Sequence, residues 1–260
     1  MPAPIIASQP ARHVTKKLRR LPCFSIAVIV ASEVISGFAA EPPKDLARLV
    51  AHRESETQAE RNQFTYRQSV RVEELTERGS LNGDYRETRD VIFSPAKERE
   101  DVVVSAPRST LKNLVLTEED FGDIRNIQPF VLVEDLFPIY ETKFKGEQQM
   151  EGEDCWVLQV RPRQILQGQR LFDGLLWVRK QDYSVVRSEG QAVPQIRTTK
   201  SENLFPRFTT VRRKVGDYWF PTQTYADDTL FFRTGPQRIK LSIRYETYKK
   251  FGADTTVTFK

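Results

Sequence analysis

Apolar residues recur at every second position in many segments from Phe64 onward, and this period of two constrains the fold most. In residues 239–248, for example, Ile239, Leu241 and Ile243 share one face, and charged or polar residues occupy the other. Side chains of a β-strand alternate between two faces, so the pattern predicts strands with one buried face. About ten such segments follow one another without alternating helices, which predicts a mainly β (α+β) protein with a large antiparallel sheet.

Turn residues and polar stretches predict where these strands begin and end. Asn82-Gly83-Asp84 predicts the turn after the first strand, and residues 110–116 are predicted to form the fourth strand. The acidic and polar residues 146–154 predict a loop. Residues 190–204, which include Pro194, are predicted to be the longest irregular segment.

One or two helices accompany the predicted sheet. Leu46, Leu49 and Val50 fall at i, i+3 and i+4 after a Pro-Pro pair, which predicts a helix whose far end, from His52 to Arg61, is mostly exposed. Thr117, followed by three acidic residues, predicts the N-terminus of a short second helix. Because one or two helices cannot cover a ten-strand sheet, they cover it only partly. A sheet of this size tends to curl, so we expect it to form an open half-barrel. Its apolar interior is either filled by side chains or holds a ligand.

The first forty residues have the pattern of a secretory signal peptide. A basic cluster at residues 16–20 precedes an apolar stretch at residues 21–38, which small residues close at Ala39 and Ala40. Glu33 interrupts this stretch, so it is too short for a comfortable membrane span, although an uncleaved anchor is the alternative. We therefore expect cleavage near Ala39 or Ala40 and one mature domain, residues 41–260, in the periplasm.

Charge and reactive side chains exclude several classes of function. The chain has 40 Lys+Arg and 35 Asp+Glu, a formal charge of +5, but residues 1–39 account for four of these charges. A nearly neutral mature domain argues against nucleic-acid binding. Outside the signal peptide only Cys155 and His52 remain, which is too few for a Cys–His zinc site, and we expect no metal or cofactor. Cys155 is predicted to be a half-buried thiol and His52 a solvated surface residue.

Five segments of the mature domain resemble LolA-like proteins, the superfamily of periplasmic lipoprotein carriers. The clearest is residues 175–187, LLWVRKQDYSVVR, an apolar strand with Trp, a polar turn and a returning strand. The others are residues 123–130 (DIRNIQPF), 202–208 (ENLFPRF), 218–222 (YWFPT) and 226–230 (ADDTL), which resemble an uncharacterised bacterial subgroup. The resemblance covers residues 41–260 and implies an open half-barrel with helical cover that encloses a cavity for acyl chains.

The function that this resemblance implies is non-covalent carriage of lipid. Such a carrier shields the acyl chains of lipoproteins or other lipids, takes them from an inner-membrane donor and delivers them to an outer-membrane acceptor, so no catalytic residue is assigned. From the strand pattern, we expect eight apolar residues to line the cavity if one exists: Phe64, Tyr66, Val70, Trp156, Leu158, Trp177, Leu241 and Ile243.

Two other functions remain open from the sequence. A non-enzymatic envelope sensor or adaptor of the same fold would bind lipid or a regulatory partner protein. A carboxylate enzyme or cation site would use Asp227 and Asp228, with Glu118, Glu119 or Asp120 as partners. A strand-end turn and a helix N-terminus are the simpler explanation of these acids. The basic residues 212–214 and 249–250 are predicted to be solvated.

Overall fold

The alternating segments form the strands of one large sheet in the structure, a computed structural model that describes residues 41–94, 98–126, 132–165, 170–199 and 202–251. The predicted signal peptide lies outside the described residues. The ten-stranded sheet has the order β3-β2-β1-β12-β11-β10-β7-β6-β5-β4, and all its neighbouring pairs are antiparallel. The first and last strands in this order do not pair, so the sheet is open, and the predicted fold class is confirmed.

The described chain has twelve strands and two α-helices. The first half contains α1 (Leu46–Arg61), β1 (Phe64–Leu75), β2 (Leu81–Phe93), β3 (Arg99–Ser109), α2 (Glu118–Asn126), a 3-10 turn (Phe137–Ile139), β4 (Tyr140–Met150) and β5 (Glu153–Pro162). The second half contains β6 (Leu171–Arg179), β7 (Val185–Val193), β8 (Ile196–Arg197), β9 (Glu202–Asn203), β10 (Phe208–Val215), β11 (Tyr218–Phe232) and β12 (Gly235–Lys250). Neither α-helix in these described ranges is long and apolar enough to cross a membrane.

Two clusters of buried side chains cover the opposite faces of the sheet. The inner face carries the main core, in which Leu46, Val50 and Ala51 of α1 and Ile124 of α2 pack against the strands. The outer face carries a smaller cluster with Cys155, Val157, Trp177, Val186 and Trp219. Alternation along the strands therefore divides the apolar residues between two surfaces, of which the inner one is covered by the helices.

A buried ion pair fixes α1 to the sheet. Glu54 of α1 and Arg212 of β10 are each 1% exposed, and Nη1 of Arg212 donates to both carboxylate oxygens of Glu54 at 2.8 Å. The prediction that Arg212 is solvated is therefore wrong, because the residue that neutralises it lies 158 positions away in the sequence. Arg213 and Lys214 are exposed, as predicted.

Four of the predicted strand, turn and loop assignments are also wrong. Residues 82–84 lie within β2, and the turn is at residues 76–80, where Gly79 has a φ of +80°. Gly83 instead allows the backbone at Thr110 to pack closely against β2, since a Cβ at position 83 would lie 2.2 Å from the carbonyl oxygen of Thr110. Residues 110–117 form no strand. The predicted loop at residues 146–154 is a hairpin of β4 and β5, and much of residues 190–204 belongs to β7, β8 and β9.

Both edges of the sheet are irregular. On β3, the pairing with β2 shifts register on both sides of Thr88, and Pro107 lacks the N–H that a further strand would need. On β4, the register shifts between Phe144 and Gly146, whose φ is +131°. Bulges and proline are known protections of edge strands against pairing with another chain.

Candidate functional site

The structure distributes the eight predicted cavity residues over three surroundings. Tyr66, Val70, Trp156, Leu158, Leu241 and Ile243 are buried in the main core beneath the helices. Phe64 is half-buried, with its ring 5.2 Å from the ring of Phe220. Trp177 lies on the outer face. The eight side chains therefore do not share one surface, and their role in ligand binding stays a prediction.

An apolar cleft opens at one end of the inner face, where two irregular segments meet the strands. Its volume is about 570 Å³, including the space at its open mouth. We call it the loop cleft. Its apolar lining comes from β1, β11, β12, α2 and the segments before α2 and after β9: Val72, Leu114, Val115, Leu116, Ile124, Leu204, Phe205, Pro206, Leu230, Phe232, Ile239 and Leu241.

The lining of the loop cleft changes from buried at its floor to exposed at its rim. Leu204, Leu230 and Ile239 form a small cluster at the floor, and Leu114 and Phe232 pack against them. Val115 at the rim is 85% exposed. Beyond the rim the cleft continues into a wider and more polar groove between Asn113 and the β11–β12 turn. The arrangement suits a ligand with one apolar and one polar end.

One buried carboxylate holds the rim segment, residues 111–117, in place. Glu74 of β1 is completely buried, and its Oε2 accepts the backbone N–H groups of Lys112, Asn113 and Leu114 at 3.1, 2.8 and 3.1 Å. Its Oε1 accepts the side-chain amides of Asn113 and Asn82. Burial by itself raises the pKa of Glu74, but these hydrogen bonds outweigh it and lower the pKa below the ordinary value. The carboxylate is therefore ionised at neutral pH. It accepts the backbone N–H groups of the rim segment that a neighbouring strand would otherwise bind.

A polar network fixes α2 beside the cleft. Thr117 Oγ1 caps α2 by accepting the backbone N–H of Asp120 at 3.4 Å, and the side-chain amide of Asn203 donates to the same hydroxyl at 2.9 Å and to Asp120 Oδ1 at 3.2 Å. Arg170 donates to the carboxylate of Asp123 and to the backbone carbonyl of Asn203. Burial raises the pKa of Asp120. Burial also raises the pKa of Asp123, to about 6, because it and the nearby Asp120 carboxylate outweigh the lowering effect of Arg170.

The other chemically interesting residues have structural partners. Asp227 lies 3.2 Å from Arg238 and 3.6 Å from Lys240, and Asp228 accepts the backbone N–H of Arg207 at 2.9 Å. Within the described ranges, no group of three or more His, Cys, Asp or Glu side chains could hold a metal ion. Cys155 is buried more deeply than predicted, and burial raises the pKa of its thiol to about 12. His52 is exposed, as predicted, with Nδ1 3.1 Å from Glu134.

The loop cleft itself was missed by strand periodicity because half of its apolar lining belongs to irregular segments. Leu114, Leu116 and Phe205 belong to no strand, and only Leu241 of the predicted cavity residues lines the cleft. A signal was available in residues 202–208, where Leu204-Phe205-Pro206 places three apolar residues together in a segment otherwise predicted to be a polar loop.

Comparison with known proteins gives similarities of fold. No protein-family model and no curated protein matches the sequence. Among solved structures, a DUF1329 family protein from Desulfovibrio piger has 14% identity and a TM-score of 0.42, and the matched region covers 83% of this chain and 96% of the chain of that protein. A LolA superfamily protein from Nitrosomonas europaea has 16% identity and a TM-score of 0.35, covering 80% and 98%. A putative outer membrane lipoprotein-sorting protein domain from Vibrio parahaemolyticus has 12% identity and a TM-score of 0.35, covering 78% and 93%.

The superfamily that the sequence motifs resemble is thus among the solved structures similar to this chain. At identities of 12–16% and TM-scores below 0.5, the assignment of the fold rests on the order and direction of the strands in this chain.

Proposed function

We propose that this protein binds an acyl chain in the loop cleft and carries it through the periplasm after cleavage of a signal peptide near Ala39 or Ala40. The observation that carries the proposal is the cleft itself, an open site with a mainly apolar lining and polar groups at one end. Small-molecule sites in proteins are typically concave and mostly apolar, with a few polar groups that orient the ligand. The site offers an apolar surface and no activated nucleophile, so reversible binding is the chemistry that it supports best.

The expected affinity follows from the burial of methylene groups. Each buried methylene contributes about 0.8 kcal/mol, so ten would contribute roughly 8 kcal/mol before the costs of association, close to micromolar affinity. Such a complex keeps an acyl chain out of water but releases it to a site that buries more of it. A donor at the inner membrane and an acceptor at the outer membrane would complete the route.

The proposal is tested by adding a fluorescent fatty acid to the purified protein and measuring the dissociation constant by fluorescence titration. Leu116→Asn, on the cleft wall, should weaken binding at least tenfold, because it places an amide on an apolar wall. The matched control is Leu175→Asn, which alters a partly buried leucine of the outer-face cluster and should leave the dissociation constant within twofold. Equal effects of the two variants, or no uptake by the wild type, would contradict the proposal.

A second candidate is an adaptor that binds apolar side chains of a partner protein in the same cleft. The observation that favours it is the filled inner face, where Val70, Leu158 and Ile243 are buried beneath the helices and offer no wide interior. Native mass spectrometry of protein purified from the periplasm separates the two functions. A bound mass extractable as phospholipid or acylated peptide supports the carrier, whereas protein that is empty and takes up no fatty acid supports the adaptor.

A further inference from the structure

The polar part of the loop-cleft lining is rich in hydrogen-bond acceptors. Four polar side chains line the cleft beside its apolar residues: Thr117, Asp120, Glu202 and Asn203. Two of the four are carboxylates, and the described residues of the lining include no lysine, arginine or histidine. At its polar end the described lining therefore presents acceptor oxygens and negative charge to a ligand, without a cation.

The hydrogen-bond donors of these side chains are already in use. The side-chain amide of Asn203 has two hydrogens, which it donates to Thr117 Oγ1 at 2.9 Å and to Asp120 Oδ1 at 3.2 Å. The hydroxyl of Thr117 donates to Asp120 Oδ2 at 3.0 Å. Asp120 and Asn203 are each 8% exposed, so water competes little for these bonds. A ligand group that needs a donor, such as a carboxylate, is left without one among these side chains.

Both carboxylates of the lining keep some capacity to accept. A carboxylate has about four acceptor sites, and Asp120 accepts three hydrogen bonds from its neighbours. Glu202 accepts one from Arg197 Nη1 and one from the backbone N–H of Arg233, each at 2.9 Å, and Arg233 Nε lies 3.3 Å away. The hydrogen bond from the Arg233 N–H and the two guanidinium groups lower the pKa of Glu202, so this carboxylate is ionised at neutral pH.

Two features beside the cleft that favour anions in other proteins are already neutralised here. Residues 118–120, in the first turn of α2, are all acidic and offset the positive end of the helix dipole. The guanidinium groups of Arg197 and Arg233 share Glu202 and also donate to backbone carbonyl groups, each at 2.7 Å. A negatively charged ligand group therefore gains little from either feature.

We propose that the loop cleft prefers an apolar chain whose polar end donates hydrogen bonds and carries no negative charge, such as an ammonium or hydroxyl group. Such a donor can bind the remaining acceptor sites of Asp120 and Glu202, whereas a ligand carboxylate meets like charge. The inference rests on the proposed function, because the chain itself must lie in the cleft, and it names the class of ligand. A free fatty acid is bound more weakly, through its chain alone.

The experiment is calorimetric titration of the purified protein at pH 7.5 with three amphiphiles that share a ten-carbon chain: decylammonium, monodecanoylglycerol and decanoate. Decylammonium and decanoate form the decisive pair, because both are ions and differ in the sign of the charge. We expect decylammonium to bind at least tenfold more tightly than decanoate, since it meets opposite rather than like charge. Monodecanoylglycerol, whose hydroxyl groups can donate, should also bind more tightly than decanoate.

Variants of the two carboxylates test the origin of the preference. Glu202→Gln removes an ionised carboxylate and leaves Arg197 and Arg233 without it, so the ratio of the decanoate to the decylammonium dissociation constant should fall at least tenfold. Asp120→Asn, which keeps the size of the side chain and leaves Glu202 in place, should lower the same ratio at least threefold.

The matched control is Glu151→Gln, in the turn between β4 and β5. Glu151 also lies within ion-pair distance of two guanidinium groups, 3.5 Å from Arg187 and 2.7 Å from Arg213, but it does not line the cleft. Its substitution should change the ratio of the two dissociation constants by less than twofold.

The inference is overturned if decanoate binds wild-type protein as tightly as decylammonium, if Glu202→Gln leaves the ratio unchanged, or if Glu151→Gln lowers it equally. In these cases, binding that Leu116→Asn still weakens keeps the cleft as an acyl-chain site. Absence of binding by all three amphiphiles overturns the proposed function as well, so the two failures are distinguishable.

Discussion

The buried carboxylate of Glu74 offers the sharpest test of how the cleft rim is built. Glu74→Gln keeps the size of the side chain and one acceptor oxygen, but it places an amide where Oε1 now accepts the side-chain N–H groups of Asn82 and Asn113. The three backbone bonds to Oε2 lose the charge of their acceptor. Hydrogen bonds to charged groups contribute about 1.5–3 kcal/mol each, and the exposed rim N–H groups can partly turn to water. We therefore expect a loss of about 2–4 kcal/mol in the free energy of unfolding at pH 7.

The loss should depend on pH in one direction. Hydrogen bonding lowers the pKa of Glu74 in the folded protein, so its contribution is complete above the unfolded-state pKa, near 4.3, and disappears as the pH falls through the lower folded-state value. Urea unfolding followed by tryptophan fluorescence should show a constant difference between wild type and Glu74→Gln from pH 5.5 to 8. The difference should shrink below pH 4.5 as the wild-type carboxylate becomes protonated.

The neighbouring residue provides the control. Glu73 has a half-exposed carboxylate 2.8 Å from Arg71 on the same strand, and such surface pairs contribute about 0–1 kcal/mol. Glu73→Gln should therefore change the free energy of unfolding by less than about 1 kcal/mol at every pH. A loss below 1 kcal/mol for Glu74→Gln at pH 7, or a loss of the same size at pH 3.5 and pH 7, would refute the assignment of Glu74 as the ionised anchor of the rim.

Three further predictions concern other buried groups. Arg212→Met leaves Glu54 buried without its partner and should cost about 3–5 kcal/mol of unfolding free energy, of which Glu54→Leu in the same chain should restore a large part. Asp123 has a raised folded pKa of about 6, so the folded protein binds more protons than the unfolded one between about pH 4 and 6. From pH 7 to pH 5 the wild type should therefore gain about 1 kcal/mol of unfolding free energy relative to Asp123→Asn in parallel urea titrations. In a Cys23→Ser background, the Cys155 thiol, with a pKa of about 12, should react with Ellman's reagent at pH 8 only after denaturation.

Strand positions were predictable where one face of a strand is buried and the other is not. β5 and β12 show this alternation, and their inward residues, Trp156, Leu158, Leu241 and Ile243, lie in the main core. The sequence does not distinguish the two faces, since Trp177 obeys the same period but packs on the outer face with Trp219. Which face the helices cover depends on contacts such as that of Glu54 with Arg212, between residues far apart in the chain.

The errors at strand ends have physical causes as well. The second half of β4 is polar because it is an exposed edge strand, so its residues resemble a loop although they pair with β5. Residues 110–116 are apolar enough for a strand, but the Glu74 carboxylate takes the N–H groups that a neighbouring strand would have bound. The loop cleft depends on these irregular segments, so its walls could not be predicted from periodicity.

The interrupted edges of the sheet have a consequence for the protein at high concentration. β3 presents three consecutive exposed valines, Val102, Val103 and Val104, which on a flat edge would invite a second molecule to add a strand. The register shifts at Thr88 and Gly146 and the missing donor at Pro107 stop the ladder at each side. Each molecule thus terminates its own sheet, so these edges disfavour the growth of fibres by strand addition.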